Sequence, residues 1–128
     1  MSSRPGRLKR RADFLRVAAG RRKFVAPGLI LQALEASPSG PPQPTSMRIG
    51  FTVSRKVGMA VARNRARRRL KAVAEMMEEH AAPGYDYVLI GRGGTLTRRF
   101  TDLREDLVTA LRRLGLYRED GNDAGTGN

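Results

Sequence analysis

Polar and apolar positions alternate most cleanly between residues 47 and 54. Ile49, Phe51 and Val53 fall on one side of an extended chain, and Arg48, Gly50, Thr52 and Ser54 on the other. A period of two marks a half-buried strand. Two further apolar runs read as strands. One is residues 24–36, with Leu29, Ile30, Leu31 and Leu34. The other is residues 85–91, apolar enough to be central in a sheet. Elsewhere the spacing becomes helical. Residues 10–19 carry Phe14, Leu15, Val17 and Ala18 ahead of a stop at Gly20. Residues 59–80 form the longest helical stretch, ended by Ala81, Ala82, Pro83 and Gly84. Residues 98–114 place Phe100, Leu103, Leu107, Ala110, Leu111 and Leu114 on one stripe, with Thr97 as cap and Gly115 as stop.

The stretch 36–46 is rich in Pro, Ser and Gly, so it is expected as a loop between strands. Residues 1–6 are expected as a flexible basic arm, and residues 117–128 as a disordered tail. The remaining order, α-β-β-α-β-α, predicts a single α+β sandwich domain over residues 1–116. Three or four strands would carry helices segregated to one face, leaving part of the other face free for a ligand. A chain of 128 residues suits one such core.

Charge changes the picture. With 25 Lys+Arg against 12 Asp+Glu, the net charge is +13, a field that attracts polyanions. Nucleic acid is the expected partner and a membrane surface the alternative. No segment approaches the ~20 apolar residues of a spanning helix. The absence of Cys excludes disulfide scaffolds and thiolate zinc sites. The Arg-rich start has the composition of an organellar presequence, but the core pattern begins almost at once. The cytoplasm is therefore the expected compartment.

The positive charge is concentrated on the long helix. Six of the nine residues from 63 to 71 are basic: Arg63, Arg65, Arg67, Arg68, Arg69 and Lys71. At 100° per residue, Met59, Ala62, Ala66, Leu70, Val73 and Met77 share a stripe of about 80°. That stripe is the predicted keel. Arg63, Asn64, Arg67, Arg68 and Lys71 cover one flank and the outward face, and Arg65 and Arg69 the other flank. An ordinary solvated face mixes signs, whereas Arg63, Arg67 and Lys71 are like charges at i,i+4 spacing. Their repulsion calls for a compensating anion. The preference for Arg, whose planar fork matches phosphate, points to RNA or DNA. Asn64, inside the run, can donate to and accept from a phosphate or base edge, or bind a metal's water.

Residues 48–71, RIGFTVSRKVGMAVARNRARRRLK, resemble the signature of the bacterial ribonuclease P protein subunit. The matching positions are Val53-Ser54-Arg55-Lys56, Gly58, Ala60-Val61, Arg63-Asn64-Arg65, Arg68 and Leu70. Arg7-Leu8 and Asp13-Phe14…Val17…Gly20 resemble the family's opening helix. Residues 85–90 and the final helix resemble its remaining elements. Two departures stand out: Met59 replaces an Asn after Gly58, and Ala18 replaces a second aromatic four residues after Phe14.

The resemblance implies an α/β sandwich with a left-handed crossover through the basic helix, which pattern alone does not suggest. It implies an accessory subunit of an endoribonuclease that removes the 5′ leader from precursor tRNA, with the active site and most of the Mg2+ held by a catalytic RNA. Ser54, Arg55, Lys56, Arg63, Asn64, Arg65, Arg67, Arg68 and Lys71 would contact that RNA. Arg10, Arg11, Phe14, Arg16 and Val17 would meet the leader, with Phe14 stacking on a base or packing in the core. Neither DNA nor membrane is implied as a partner. The residues agree with a non-catalytic protein: His80 is the single His, and no paired carboxylates flank the basic helix. A basic ribosomal protein is the main rival reading. A DNA-binding regulator lacks a helix-turn-helix pair, and a stand-alone nuclease would need its own acid/base or metal cluster.

Overall fold

A computed structural model of the chain describes residues 5–36 and 47–119. The Pro-rich loop expected at 36–46 lies almost wholly outside the described residues. So do residues 1–4 of the arm and 120–128 of the tail. Among the described residues there are five strands and five helices. They are β1 (Gly6–Arg7), α1 (Arg11–Ala19), β2 (Lys23–Val25), β3 (Leu29–Glu35), β4 (Arg48–Val53), α2 (Ala60–Ala74), α3 (Met77–His80), β5 (Tyr85–Gly91), α4 (Gly93–Thr97) and α5 (Phe100–Arg113). The strands form one sheet in the order β1-β4-β5-β3-β2. β4 and β5 are parallel neighbours joined through α2 and α3, while β3 runs antiparallel to both β5 and β2.

The alternation on the strands assigns the two faces. Ile49 and Val53 of β4, Leu29, Leu31 and Ala33 of β3, and Tyr87 and Leu89 of β5 face the larger core. Ala66, Leu70 and Val73 of α2 and Leu103, Leu107, Ala110 and Leu111 of α5 close it from above. Full burial of each such Leu contributes roughly 1.5–3 kcal/mol. Tyr87 is buried in this core, where burial pushes its phenol well above the ordinary tyrosine range. Its hydroxyl donates to the Ala82 carbonyl at 2.6 Å.

The helices are not segregated to one face. α1 lies on the opposite side, over a smaller cluster of Leu8, Val17 and Val88 flanked by Phe14, Leu34 and Ile90. This corrects the expected layering, because a helix with a single fully buried residue can be seated only against a locally matched patch of sheet. Other boundaries also move. The run 24–36 is a hairpin, turned at Ala26, whose N–H bonds the Leu29 carbonyl at 2.8 Å. Residues 59–80 form two helices that break after Ala74. Met59 is the uncapped N-cap of α2 and 84% exposed, so it is no part of the keel. Gly6 belongs to a strand, with its N–H bonded to the Met47 carbonyl at 2.8 Å. Tyr117 is also placed: it bridges to Ala81 and stacks on His80. Both segments were expected to be mobile, because one or two strand residues leave no periodic signal. The chain reversal after α1 uses a left-handed residue at Arg21 rather than at Gly20.

α4 was not foreseen. Gly94 passes so close to Pro27 that a Cβ there would stand 2.3 Å from the Pro27 carbonyl oxygen. Thr95, fully buried, donates from Oγ1 to the Gly28 carbonyl at 2.6 Å and accepts from the Arg92 N–H at 2.8 Å. Asp106 accepts from the Gly28 N–H at 3.0 Å and pairs with Arg98 at 2.7 Å. These bonds tie the hairpin turn to α4 through Thr95 and to α5 through Asp106.

Candidate RNA interface

β4 leads straight into the basic surface. The Ser54 side chain accepts from the Lys56 N–H at 3.2 Å and opens a single 3-10 turn, Arg55–Val57. Gly58, at φ 151°, then swings the chain into α2. Ser54, Arg55 and Lys56 are all exposed on this turn. α2 begins without a side-chain cap and with no acid in its first turn. Its unpaired N–H groups and the positive end of its dipole therefore add to the field of the cations around it.

The keel of α2 is Ala66, Leu70, Val73 and Ala74. Around it the basic residues divide into two groups. Asn64, Arg65, Arg68 and Lys71 are exposed and Arg67 is half-buried; none of these side chains bonds or pairs with another described residue. Arg63 and Arg69 are employed inside the fold. Arg63 donates to the Gly58 carbonyl at 3.0 Å, latching the turn to the helix. Arg69 donates from Nε to the Thr95 carbonyl at 2.7 Å and from Nη2 to the Arg98 carbonyl. It binds carbonyls at the C-terminal end of α4. The like-charge spacing is thus eased at Arg63 by a carbonyl, while Arg67, Arg68 and Lys71 pair with no described residue.

On the other face, three cross-strand rows can be read from the register. Arg48, Asp86 and Leu34 form the first, and Gly50, Val88, Gln32 and Lys23 the second. Thr52, Ile90, Ile30 and Val25 form the third. α1 covers the first two: Arg16 reaches Asp86, and the Phe14 ring rests on Gly50. The third row stays open, with Thr52, Ile90 and Ile30 half-buried and Val25 exposed. Its end at Thr52 lies two residues before Ser54, so this strip of sheet runs up to the root of the cationic helix. Sequence reasoning anticipated a free face but did not name these four residues. The alternation of β4 and β5 was the available signal, but the register between strands was not.

The α1 residues separate by role. Arg10 and Arg11 are exposed, and Phe14 is half-buried with its ring at the margin of the open strip. Val17 is 0% exposed and sealed under α1, so it packs and cannot meet a ligand. This corrects its place among the leader-side residues: on a nine-residue helix the central apolar position is the one driven into the sheet. Arg16 is committed to Asp86 and to the Glu35 carbonyl at 3.1 Å. His80 ends α3, with Nδ1 3.0 Å from the Arg118 carbonyl oxygen and its ring stacked on Tyr117. Among the described residues no three His, Asp or Glu side chains are grouped to hold a metal ion. Nor, among the described residues, is any helix long and apolar enough to cross a membrane.

A basic α+β domain that presents a dense run of cations on one helix, beside an open strip of sheet, has the make-up of a small RNA-binding protein. The Ribonuclease P family model matches residues 3–115. The chain is 60% identical over 116 residues to the Ribonuclease P protein component of Paramagnetospirillum magneticum, covering 90% of this chain and 86% of that one. It is 50% identical over 117 residues to that of Gluconacetobacter diazotrophicus, covering 91% and 97%. The solved RNase P protein of Thermotoga maritima superposes with TM-score 0.68 at 24% identity, over 84% of this chain and 96% of that one. That of Staphylococcus aureus gives 0.68 at 19%, over 93% and 100%. The chain belongs to the ribonuclease P protein family. It is the accessory protein subunit of ribonuclease P, an endoribonuclease of tRNA processing, and works with that enzyme's RNA subunit.

Proposed function

We propose that this chain assists the RNA subunit by two separate surfaces. The exposed flank of α2, with Arg55 and Lys56 at its root, lies against the catalytic RNA and neutralises phosphate there. Arg65, Arg67, Arg68 and Lys71 carry this contact, and Asn64 bonds a phosphate or base edge within it. The open strip beside α1 takes the single-stranded 5′ leader of precursor tRNA. Phe14 stacks on a leader base, a contact worth roughly 1–3 kcal/mol, and Arg10 and Arg11 follow the leader backbone. The observation that carries this reading is that the open row ends at Thr52, two residues before the Ser54–Lys56 turn that leads into α2, whose exposed cations pair with no described residue.

Magnesium enters through the RNA. The described residues of this chain offer no metal cluster, so the donor set does not fit a centre of its own. Neutralising phosphate at α2 lowers the magnesium concentration at which the RNA folds and binds substrate. The compartment proposed is the cytoplasm, where precursor tRNA is found.

The test adds the protein to its cognate catalytic RNA and precursor tRNA at low magnesium. Stimulated cleavage at the 5′ end supports the reading. Cleavage unchanged by the protein overturns it.

A further inference from the structure

Two arginines on the α1 side of the sheet, Arg16 and Arg48, pair with one buried carboxylate. Asp86, the second residue of β5, is 0% exposed. Its register partner on β4 is Arg48. Arg48 donates from Nε to Oδ1 at 3.0 Å and from Nη2 to Oδ2 at 2.8 Å, the paired fork that binds a carboxylate best. The hydrogen bond to Asp86 leads the causes that raise the Arg48 pKa above its ordinary value. Arg16 of α1 donates to the same Oδ2. Arg48 also reaches back to Asp13 of α1 at 3.6 Å. Two arginines and two aspartates sum to zero charge, so the group offers no net attraction to phosphate.

A buried carboxylate is strongly destabilising when its partners are lost, because its charge is then left unpaired away from water. The positions of both arginines are therefore dictated by Asp86. The apolar seat of α1 is slight: the helix has nine residues and Val17 alone is fully buried. Asp13 and Arg16 lie one turn apart and tie one side of this helix to the sheet. Phe14, between them in sequence, is held on Gly50 at the margin of the open row. The roll of α1 about its axis decides where that ring points.

We propose that Asp86 is a positioning residue for leader recognition. Through Arg16 and Arg48 it sets the roll of α1, and so the placement of Phe14 on Gly50, at the margin of the row Thr52–Ile90–Ile30. It touches no RNA itself. This rests on the reading that the leader lies in that strip.

The test uses the holoenzyme reconstituted with the cognate catalytic RNA. Affinities for leader-bearing precursor and for mature tRNA are measured across salt. Wild-type protein that fails to favour the precursor overturns the leader reading itself. If it does favour the precursor, Asp86→Asn and Arg16→Met are compared with it, after circular dichroism shows each is folded. The proposal expects both to lose about fivefold or more of the precursor preference. Affinity for the catalytic RNA and the salt slope should stay unchanged, and Arg16→Lys should recover part of the preference. Direct phosphate contacts predict the opposite sign. Asp86→Asn would then free two cations, tighten the precursor and steepen the salt slope, while Arg16→Met would flatten it by about one unit. That result overturns the proposal, as does an unchanged preference in folded Arg16→Met. If Asp86→Asn does not fold, Arg16→Met and Arg16→Lys decide alone.

Discussion

The ring of Phe14 lies directly on Gly50: a Cβ at residue 50 would stand 2.7 Å from two ring carbons. Glycine at this point of β4 is a space requirement set by α1. Gly50→Ala is expected to push the ring and α1 away and to destabilise the fold by about 1–3 kcal/mol. Denaturant unfolding would register this, together with a lower preference for precursor over mature tRNA. Wild-type stability with unchanged preference would mean that the ring sits elsewhere in solution.

Phe14 itself is tested by Phe14→Ala. Loss of stacking should weaken leader-bearing precursor by about 1–3 kcal/mol and leave mature tRNA nearly unaffected. An equal loss for both substrates would reduce Phe14 to packing alone.

Arg68 and Arg69 are sequence neighbours with different tasks, and their alanine variants should part accordingly. Arg68→Ala removes an exposed cation. It should weaken catalytic-RNA binding and lower the salt slope by about one unit, with stability within about 0.5 kcal/mol of wild type. Arg65→Ala should behave alike. Arg69→Ala strips the Thr95 and Arg98 carbonyls of their donor, so it should cost roughly 1–3 kcal/mol of stability. Its salt slope should stay at the wild-type value. Titrations at several salt concentrations, paired with thermal unfolding, separate the two patterns.

Met59 leaves the N-terminus of α2 uncapped. Met59→Asn supplies a side-chain acceptor for the first turn and should stabilise the protein by about 0.5–2 kcal/mol. The gain should show as a shifted unfolding midpoint with an unchanged slope. No gain would mean that the first turn already finds its partners in water.

Much of the site was legible because it is local. The apolar keel of α2 and the exposure of Arg65, Arg68 and Lys71 follow from helical spacing over a dozen residues. So does the polar side of β4 that carries Gly50 and Thr52. The hairpin at Pro27-Gly28 was signalled by its turn residues, yet the apolar run 24–36 masked it. α4 has no such pattern. It is held by Thr95 and by Arg69, a residue 26 positions away.

The sequence by itself determined the strand and helix periods, the cationic exterior of the helix around Arg63–Asn64–Arg65, and through that motif the family. Each is a property of neighbouring residues, fixed by backbone geometry. Only the tertiary structure decided which face α1 occupies, and that Val17 is sealed in while Phe14 stays at the margin. It also decided that Arg16 and Arg48 are spent on Asp86, at separations of 70 and 38 residues. Charge and hydropathy cannot distinguish an arginine that meets RNA from one that neutralises a buried carboxylate. That depends on which distant strand the fold brings beside it.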